Sequence, residues 1–246
     1  MEPLSKAKLK ELASFKQQKN CEQNGLFVAE GEKLADEIIG MGVPVHTLCA
    51  TADWSGPAQY SSRSYLVTAE QLERLSSLRQ PNKVWMLIER AAVKGHQEKL
   101  SGNRDITLVL DRLQDPGNLG TIIRTADWFG VRHIVCSRDT VSCFNPKVVQ
   151  STMGSLLRVA VDYCDLRQWL SSCGKPIYGA VLDGDDIRKS EITPSAAIVI
   201  GNESRGISPE LQPLLTNRVL IPNIGGSCES LNAALATGII LSRFTL

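Results

Sequence analysis

The sequence has little of what would build a metal site, a disulfide framework or a membrane span. Its 246 residues include only three histidines, none of which lies in a metal-ligand spacing or beside a candidate nucleophile. The seven cysteines are scattered and form no C-x-x-C pair, so we expect reduced structural thiols. No apolar run approaches the roughly 20 residues that span a bilayer. We therefore expect no bound metal and no membrane segment, and the opening residues, which lack an apolar signal core, favour a cytoplasmic protein.

A large excess of charge is also absent, but the charge is unevenly distributed. The formal net charge of +1 argues against a nucleic-acid partner, because phosphate neutralisation dominates that kind of affinity. Residues 5–20, SKAKLKELASFKQQKN, nevertheless form a basic stretch on a predicted helix. Its lysines, opposed by Glu11 alone, are Lys6, Lys8, Lys10, Lys16 and Lys19. The sequence leaves open whether this helix is merely solvated or meets an anionic partner.

The stretch DPGNLGTIIRTADWFG, residues 115–130, follows the apolar run ITLVLD and looks like the first turn of a dinucleotide-binding fold. A strand, a glycine-bearing loop and a helix place backbone N–H groups where an anion can bind. The fingerprint G-x-G-x-x-G is missing, however, because only Gly117 and Gly120 are present. No P-loop motif occurs either. A nicotinamide-dependent oxidoreductase is therefore the weaker alternative.

The composition predicts two domains. Apolar periodicity gives way to charge, Gly and Ser at residues 91–104, so we place a linker at 96–104 between domains 1–95 and 105–246. The first domain alternates short predicted strands with helices such as GEKLADEIIGM and AEQLERLSSL. Its predicted strands are GLFVAE, VHTLCAT, SYLVTA and VWMLIE. This pattern is typical of a small α/β domain.

The second domain alternates more regularly. Strands that are continuous in Val, Ile and Leu predict a parallel sheet covered by helices on both faces. The predicted strands are ITLVLD, RHIVCS, RVAVDY, IYGAVLD, AAIVIG and RVLIP. The predicted helices are LGTIIRTADWFG, NPKVVQSTMGSLL, DLRQWLSS, SPELQPLL and SLNAALATGIILSRF. Ligands of such sheets bind beyond the carboxyl ends of strands, so we look for chemistry in the loops after Asp111, Leu182, Gly201 and Ile221.

The polar residues of these loops each have a purely structural interpretation. Asn118 could cap the helix behind it, and Arg124 could be a surface arginine whose stem covers apolar area. Glu203 could be an acid in the first turn of a helix, and Ser230 could cap the last helix. Taken together, loops that each place Asn, Arg, Glu or Ser beside glycines favour a functional site.

The segments NLGTIIR, IVIGNESRGIS and IPNIGGSCESLNAALA resemble the three ordered motifs of the SpoU, or TrmH, branch of the SPOUT RNA methyltransferases. Those motifs are N-x-G-x-x-x-R, an apolar strand ending in G-x-E-x-x-G, and I-P-x-x-G followed by S-L-N. The segment PKVVQSTMGSLLRVAV also looks like the middle of that family. GLFVAEGEKLADEII is similar to a substrate-binding module that is often fused to these enzymes and resembles RNA-binding ribosomal proteins. One departure is Asn223, where the family usually has Met; it puts only a packing detail in doubt.

The resemblance implies an α/β fold in which a small α/β sandwich RNA-binding domain precedes a trefoil-knotted, parallel-sheet SPOUT domain. It implies S-adenosylmethionine as the methyl donor, held largely through the backbone of Gly201, Ile221 and Leu231. The implied acceptor is a ribose 2′-hydroxyl of structured RNA, with ribosomal RNA favoured and transfer RNA as the alternative. A homodimer is the implied unit, and the exposed face of the last helix is its candidate interface.

The resemblance also assigns roles to side chains. Because a guanidinium does not deprotonate in proteins, Arg124 is expected to hold the phosphate next to the target ribose and to stabilise the forming alkoxide, not to act as a base. Asn118, Glu203, Ser230 and Asn232 are expected to orient Arg124 and the ribose. The remaining alternative is a non-catalytic RNA-binding or assembly protein on the same scaffold.

Overall fold

The computed structural model describes residues 1–57, 60–97 and 105–246. Residues 98–104 of the predicted linker, which we place at 96–104, lie outside the described residues. The described residues of Met1–Lys99 and Phe144–Leu157 form one compact unit, and those of Leu100–Cys143 and Arg158–Leu246 form a second. The segment Phe144–Leu157 thus packs with the first unit although the chain reaches it from the second. In the described part of the chain, no helix is long and apolar enough to cross a membrane.

The chain forms alternating strands and helices. The strands are β1 Glu2–Pro3, β2 Leu26–Glu30, β3 Val45–Ala50, β4 Ser64–Leu66, β5 Val84–Glu89, β6 Asp105–Leu110, β7 His133–Ser137, β8 Ala160–Cys164, β9 Ile177–Asp186, β10 Ser195–Ile200 and β11 Asn217–Leu220. The α-helices are α1 Lys6–Ala13, α2 Gln18–Gln23, α3 Glu32–Gly40, α4 Ala69–Leu75, α5 Arg90–Gln97, α6 Pro116–Trp128, α7 Pro146–Thr152, α8 Leu166–Ser172 and α9 Ala233–Thr245. Short 3₁₀ turns lie at Ser14–Lys16, Ser155–Leu157 and Gln212–Leu214.

The first unit contains a mixed sheet in the order β1-β4-β3-β5-β2. Strand β5 pairs antiparallel with β2 and β3, and β3 pairs parallel with β4. Helices α1 and α4 bury Leu12 and Leu75 against Trp85 of β5. The ends of these helices follow from capping: Ser5 accepts from the Lys8 N–H, and Thr68 forms a reciprocal capping box with Gln71. The strands predicted for this unit and helices α3 and α4 are confirmed. The helix predicted over residues 5–20 is instead divided into α1, a 3₁₀ turn and α2, and β1 and α5 were not predicted.

The second unit contains a six-stranded sheet in the order β11-β9-β10-β6-β7-β8, and all of its strand pairs are parallel. In β6, the successive side chains of Leu108, Val109 and Leu110 are each 0% exposed. Because successive side chains of a strand point to opposite faces, both faces of the sheet are covered. The prediction of a doubly covered parallel sheet is confirmed; the trefoil knot stays a prediction.

Two details of the predicted second domain are wrong. The helix predicted for SPELQPLL is only a 3₁₀ turn at Gln212–Leu214. Pro213 lies inside it, lacks an N–H and clashes with the preceding turn, so an α-helix cannot continue there. The predicted strand that ended near Leu182 instead continues to Asp186.

Strand order determines which loops meet. Strand β6 lies directly between β10 and β7, and β10 pairs with β9, which pairs in turn with β11. Since all of these strands run in one direction, the chain segments after Leu110, Ile200 and Leu220 emerge at the same edge of the sheet. These are the segments that carry the candidate site residues.

Candidate active site

The first loop leads into α6, and its cap leaves the Asn118 side chain available. Asp115 caps the helix, accepting a hydrogen bond from the Asn118 backbone N–H at 2.7 Å. Pro116 occupies the first helical position, where its missing N–H has no cost. The interpretation of Asn118 as the cap is therefore wrong, because the helix begins three residues earlier than a cap at Asn118 would require.

The second loop, residues 201–208, is a tight turn. Asn202 and Gly206 exchange both backbone hydrogen bonds, at 3.1 and 2.8 Å, and Gly206 has a left-handed φ of +65°. The Asn202 side chain accepts from the N–H groups of Ser204 and Arg205, at 3.0 and 3.1 Å. Glu203 lies in this turn, so the interpretation as an acid in the first turn of a helix is wrong.

This turn is attached to the end of β6 at two points. Asp111 is only 2% exposed, and its Oδ2 accepts from the backbone N–H and the hydroxyl of Ser208, at 2.7 and 2.6 Å. Asn202 donates from Nδ2 to the Arg112 carbonyl at 2.9 Å. A buried carboxylate is stable only when it is hydrogen-bonded, so Asp111 and Ser208 depend on each other. Both ends of the turn that holds Glu203 are thereby fixed.

The third loop ends where α9 begins. Asn232 caps the helix, since its Oδ1 accepts from the N–H groups of Ala234 and Leu235 at 2.9 and 3.3 Å. Ser230 is therefore not the cap, which corrects the structural interpretation of that residue. Serine and asparagine both cap helices well, but the cap is the residue directly before the first helical residue, which here is Asn232 before Ala233.

Residues from the three loops meet in one chain of hydrogen bonds. Asn232 Nδ2 donates to Asn118 Oδ1 at 2.8 Å, and Asn118 Nδ2 donates to Glu203 Oε1 at 2.6 Å. The direction of this chain follows from the helix cap: Asn232 must present its oxygen to the N-terminus of α9 and hence its NH₂ to Asn118. Asn118 must then donate to Glu203. The three residues form a polar relay, in which Glu203 is the final acceptor.

A cavity of about 1390 Å³ lies beside the relay. Gly201, Ile221 and Leu231, the predicted cofactor contacts, line it together with Glu203 and Ser230. Its border also exposes large apolar side chains, and the exposed fraction is 71% for Leu182, 79% for Ile224 and 47% for Leu231. Exposed apolar groups around a concave surface are typical of a ligand site.

Charges around the cavity favour a cationic ligand. Three carboxylates line it, on Asp183, Glu203 and Glu229, whereas Arg205 supplies the one guanidinium among the lining residues that the structure describes. Arg218 donates a hydrogen bond of 2.5 Å to Asp183 Oδ1. This bond holds the pKa of Asp183 below its ordinary value, so this carboxylate is ionised. The lining is thus negative overall and apolar at its border.

Gly201 is required by the close approach of the second loop to itself. A Cβ at this position would lie 2.2 Å from the Gly206 carbonyl carbon and 2.3 Å from the Ile207 nitrogen. Both contacts are with backbone, which cannot move aside as a flexible side chain would. Only glycine therefore allows the turn to fold back beside the cavity.

Gly201→Ala is expected to lower the free energy of unfolding by about 3 kcal/mol, because overpacking against backbone is among the costlier core changes. Urea denaturation followed by circular dichroism measures this loss. Gly40→Ala is the matched control, since a Cβ there meets nothing within 4 Å and Ala favours a helix. Equal stabilities of the two variants would contradict the close approach at Gly201.

Arg124 lies apart from the relay and the cavity lining. It is exposed on α6, one turn after the buried Gly120, and makes no hydrogen bond or ion pair with any residue that the structure describes. Its guanidinium is therefore available to an external anion.

The structure also adds residues that the sequence did not single out, namely Asp111, Asn202 and Ser208. The only sequence signal for Asp111 was a charged residue directly after an otherwise apolar strand.

Two family models match separate parts of the chain. The family model described as the SpoU rRNA Methylase family matches residues 105–242. The model described as an MRM3-like substrate binding domain matches residues 6–85. The chain is 30% identical to an uncharacterized tRNA/rRNA methyltransferase of Synechocystis over 95% of this chain and 88% of the relative. It is 27% identical to the 23S rRNA (guanosine(2553)-2′-O)-methyltransferase RlmP of Bacillus subtilis, over 98% of this chain and 97% of that relative.

Solved structures resemble the whole chain. A structure from Porphyromonas gingivalis, described as an RNA methyltransferase of the TrmH family, has a TM-score of 0.83 and 35% identity, covering 98% of each chain. The rRNA methyltransferase of Sinorhizobium meliloti with bound AdoMet also has a TM-score of 0.83, at 27% identity over 99% of this chain and 96% of that one. Both likenesses extend through the first unit as well as the second.

Proposed function

Because the chain belongs to the SpoU rRNA methylase family, we propose that it transfers a methyl group from S-adenosylmethionine to a ribose 2′-hydroxyl of structured RNA. Ribosomal RNA is the main candidate, as for the Bacillus subtilis relative, and transfer RNA is the second, since a Thermus thermophilus relative is named a tRNA (guanosine(18)-2′-O)-methyltransferase. The observation that carries the proposal is the polar relay from Asn232 through Asn118 to Glu203, beside a cavity lined by the expected cofactor residues.

The cavity fits S-adenosylmethionine. When bound, S-adenosylmethionine supplies an electrophilic methyl group on a positively charged sulfur. Glu203 and Glu229, opposed by Arg205 alone, give the lining a negative charge that suits this cation, and Leu182 and Ile224 offer apolar surface for an adenine ring. Gly201, Ile221 and Leu231 hold the cofactor, and the lack of a side chain at Gly201 lets the loop that lines the cavity fold back on itself.

The remaining residues act on the RNA. Arg124 pairs with the phosphate next to the target ribose and stabilises negative charge on the 2′-oxygen, which a guanidinium does without losing a proton. Asn118, Glu203 and Asn232 hold the loops in one arrangement, so that the 2′-oxygen approaches in the required direction. Ser230, on the cavity lining, orients the ribose.

The first unit supplies RNA affinity. Helix α1 covers the first part of the predicted helix, and Lys6, Lys10 and Lys19 of the basic stretch are exposed. Lys8 instead pairs with Glu11 at 2.7 Å, and Lys16 donates to the Glu73 carbonyl at 3.2 Å. Exposed lysines contact RNA phosphates, so the affinity decreases as salt concentration rises.

The second unit has a face suited to a homodimer. Helices α6 and α9 contact each other and expose large apolar side chains, with exposed fractions of 85% for Trp128, 62% for Leu235 and 44% for Ile239. Large apolar side chains exposed on two neighbouring helices are typical of a protein interface. We infer that a second copy of the chain covers it.

Replacing both Trp128 and Leu235 with Glu is expected to convert the dimer into monomers, because two charges would lie in an apolar interface. Sedimentation velocity measures the change. Leu66→Glu places one charge on an exposed apolar residue of the first unit, which is 40% exposed, and is the control expected to remain a dimer. A wild-type protein that sediments as a monomer would contradict the homodimer.

The proposed activity is tested with purified protein, radiolabelled S-adenosylmethionine and total RNA. Label on ribose 2′-oxygens supports the proposal, and label on bases overturns the assignment of the acceptor. Separate ribosomal and transfer RNA fractions then distinguish the two substrate classes.

If calorimetry detects no binding of S-adenosylmethionine, the chain is instead a non-catalytic RNA-binding or assembly protein. Mapping ribose methylation in cells that lack the protein identifies the nucleotide.

A further inference from the structure

The side chain of Asn223 folds the third loop onto itself. Its Oδ1 accepts from the Gly226 N–H at 2.7 Å, and its Nδ2 donates to the carbonyls of Gly226 and Cys228 at 2.9 and 3.1 Å. The amide thus satisfies both backbone groups of Gly226 at once. Gly225, with a left-handed φ of +96°, makes the reversal of the chain between Asn223 and Gly226.

The fold of this loop depends on that one side chain. In the part of the chain that the structure describes, no other hydrogen bond is made by residues 222–231. The loop is exposed and lies between Ile221 and Leu231, the two expected cofactor contacts. Asn223, Gly226 and Cys228 themselves line the cavity. Whatever orders this loop therefore also determines the shape of the cavity wall.

The contacts require an amide, which donates and accepts side by side. A methionine at this position could make none of these bonds, and an aspartate can accept from Gly226 but cannot donate to the carbonyls. Asn223 therefore affects more than packing, contrary to the expectation from the sequence.

We propose that Asn223 is a positioning residue that pre-forms the cofactor-binding loop before S-adenosylmethionine arrives. The inference rests on the proposed function, because it concerns the same cavity. A loop that is already folded does not have to be ordered during binding, and a ligand that meets it therefore binds more tightly. Asn223 acts through the backbone of Gly226 and Cys228, not by contact with the cofactor.

The test compares the full-length wild type with Asn223→Ala and Asn223→Asp. In both variants the Kd for S-adenosylmethionine is expected to rise about tenfold, since a set of hydrogen bonds that organises the loop is lost. Hydrogen exchange of the Gly226 amide, measured without cofactor, is expected to accelerate. At saturating S-adenosylmethionine, kcat is expected to change less than about twofold, because the bound cofactor restores the loop.

Asn24→Ala is the matched control. Asn24 is also exposed and donates to a backbone carbonyl, that of Asn20, at 2.8 Å, but it lies in the first unit. An unchanged Kd in Asn223→Ala overturns the inference, and so does a raised Kd with unchanged Gly226 exchange, which would indicate direct contact. A wild type that binds no S-adenosylmethionine overturns the proposed function itself, so the two failures are distinguishable.

Discussion

Arg124→Ala is expected to reduce the rate of RNA methylation about 100- to 1,000-fold, the usual cost of removing a group that stabilises an oxyanion. The Kd for S-adenosylmethionine is expected to stay within about twofold of the wild type, because Arg124 does not line the cavity. The reason lies in its position: the guanidinium is exposed, one turn from Gly120, and forms no bond to any described residue that could occupy it. Single-turnover methylation of labelled RNA and calorimetric titration of the cofactor measure the two quantities.

Arg167→Ala is the control for this experiment, since Arg167 is also an exposed arginine on a helix of the second unit. Arg124→Lys is expected to keep part of the rate, because lysine supplies the charge but not the planar fork that pairs with phosphate. A loss of cofactor binding equal to the loss of rate would move Arg124 into the cofactor site. An unchanged rate would remove it from the chemistry altogether.

The architecture of the second unit could be predicted because its cause is local. A strand buried on both faces reads as a nearly continuous apolar run, and residues 108–110 of β6 and 196–200 of β10 show this directly in the sequence. The carboxyl ends of such strands share an edge, which predicted the loops that carry the site, whereas the roles of Asn118, Glu203 and Asn232 came from the family resemblance. The placement of Phe144–Leu157 in the first unit could not be predicted, because it depends on contacts distant in sequence.

The bonding within the site was not predictable, because it depends on where helices begin. Ser230 and Asn232 are both good caps, and only the start of α9 at Ala233 decides between them. That decision fixes the orientation of the Asn232 amide and hence the direction of the whole relay. Similarly, the pair of Asp111 and Ser208 joins residues that are 97 positions apart, which no local pattern connects.

Asn118→Asp tests the direction of the relay. It places a second carboxylate 2.6 Å from Glu203, in place of the NH₂ group that donates to it. Two carboxylates this close repel each other strongly, so the relay cannot form and the methylation rate is expected to fall about 100-fold. The measurement is the ratio of the variant rate to the wild-type rate, and an unchanged rate would contradict the mechanism.

The double variant Asn118→Asp with Glu203→Gln separates the bonding from the charge. The glutamine introduced at position 203 can donate to the aspartate introduced at position 118, and this aspartate can also accept from Asn232. Every bond of the relay is therefore restored, but the negative charge moves from position 203 to position 118. Glu203 lines the cavity and Asn118 does not, so the negative charge leaves the lining. We expect the double variant to recover the free energy of unfolding but not the methylation rate. The single variant Glu203→Gln, which keeps a hydrogen-bond acceptor at position 203 but no charge, is expected to have the same low rate. Recovery of the rate in the double variant would mean that Glu203 serves only as a hydrogen-bond acceptor that holds Asn118 in place.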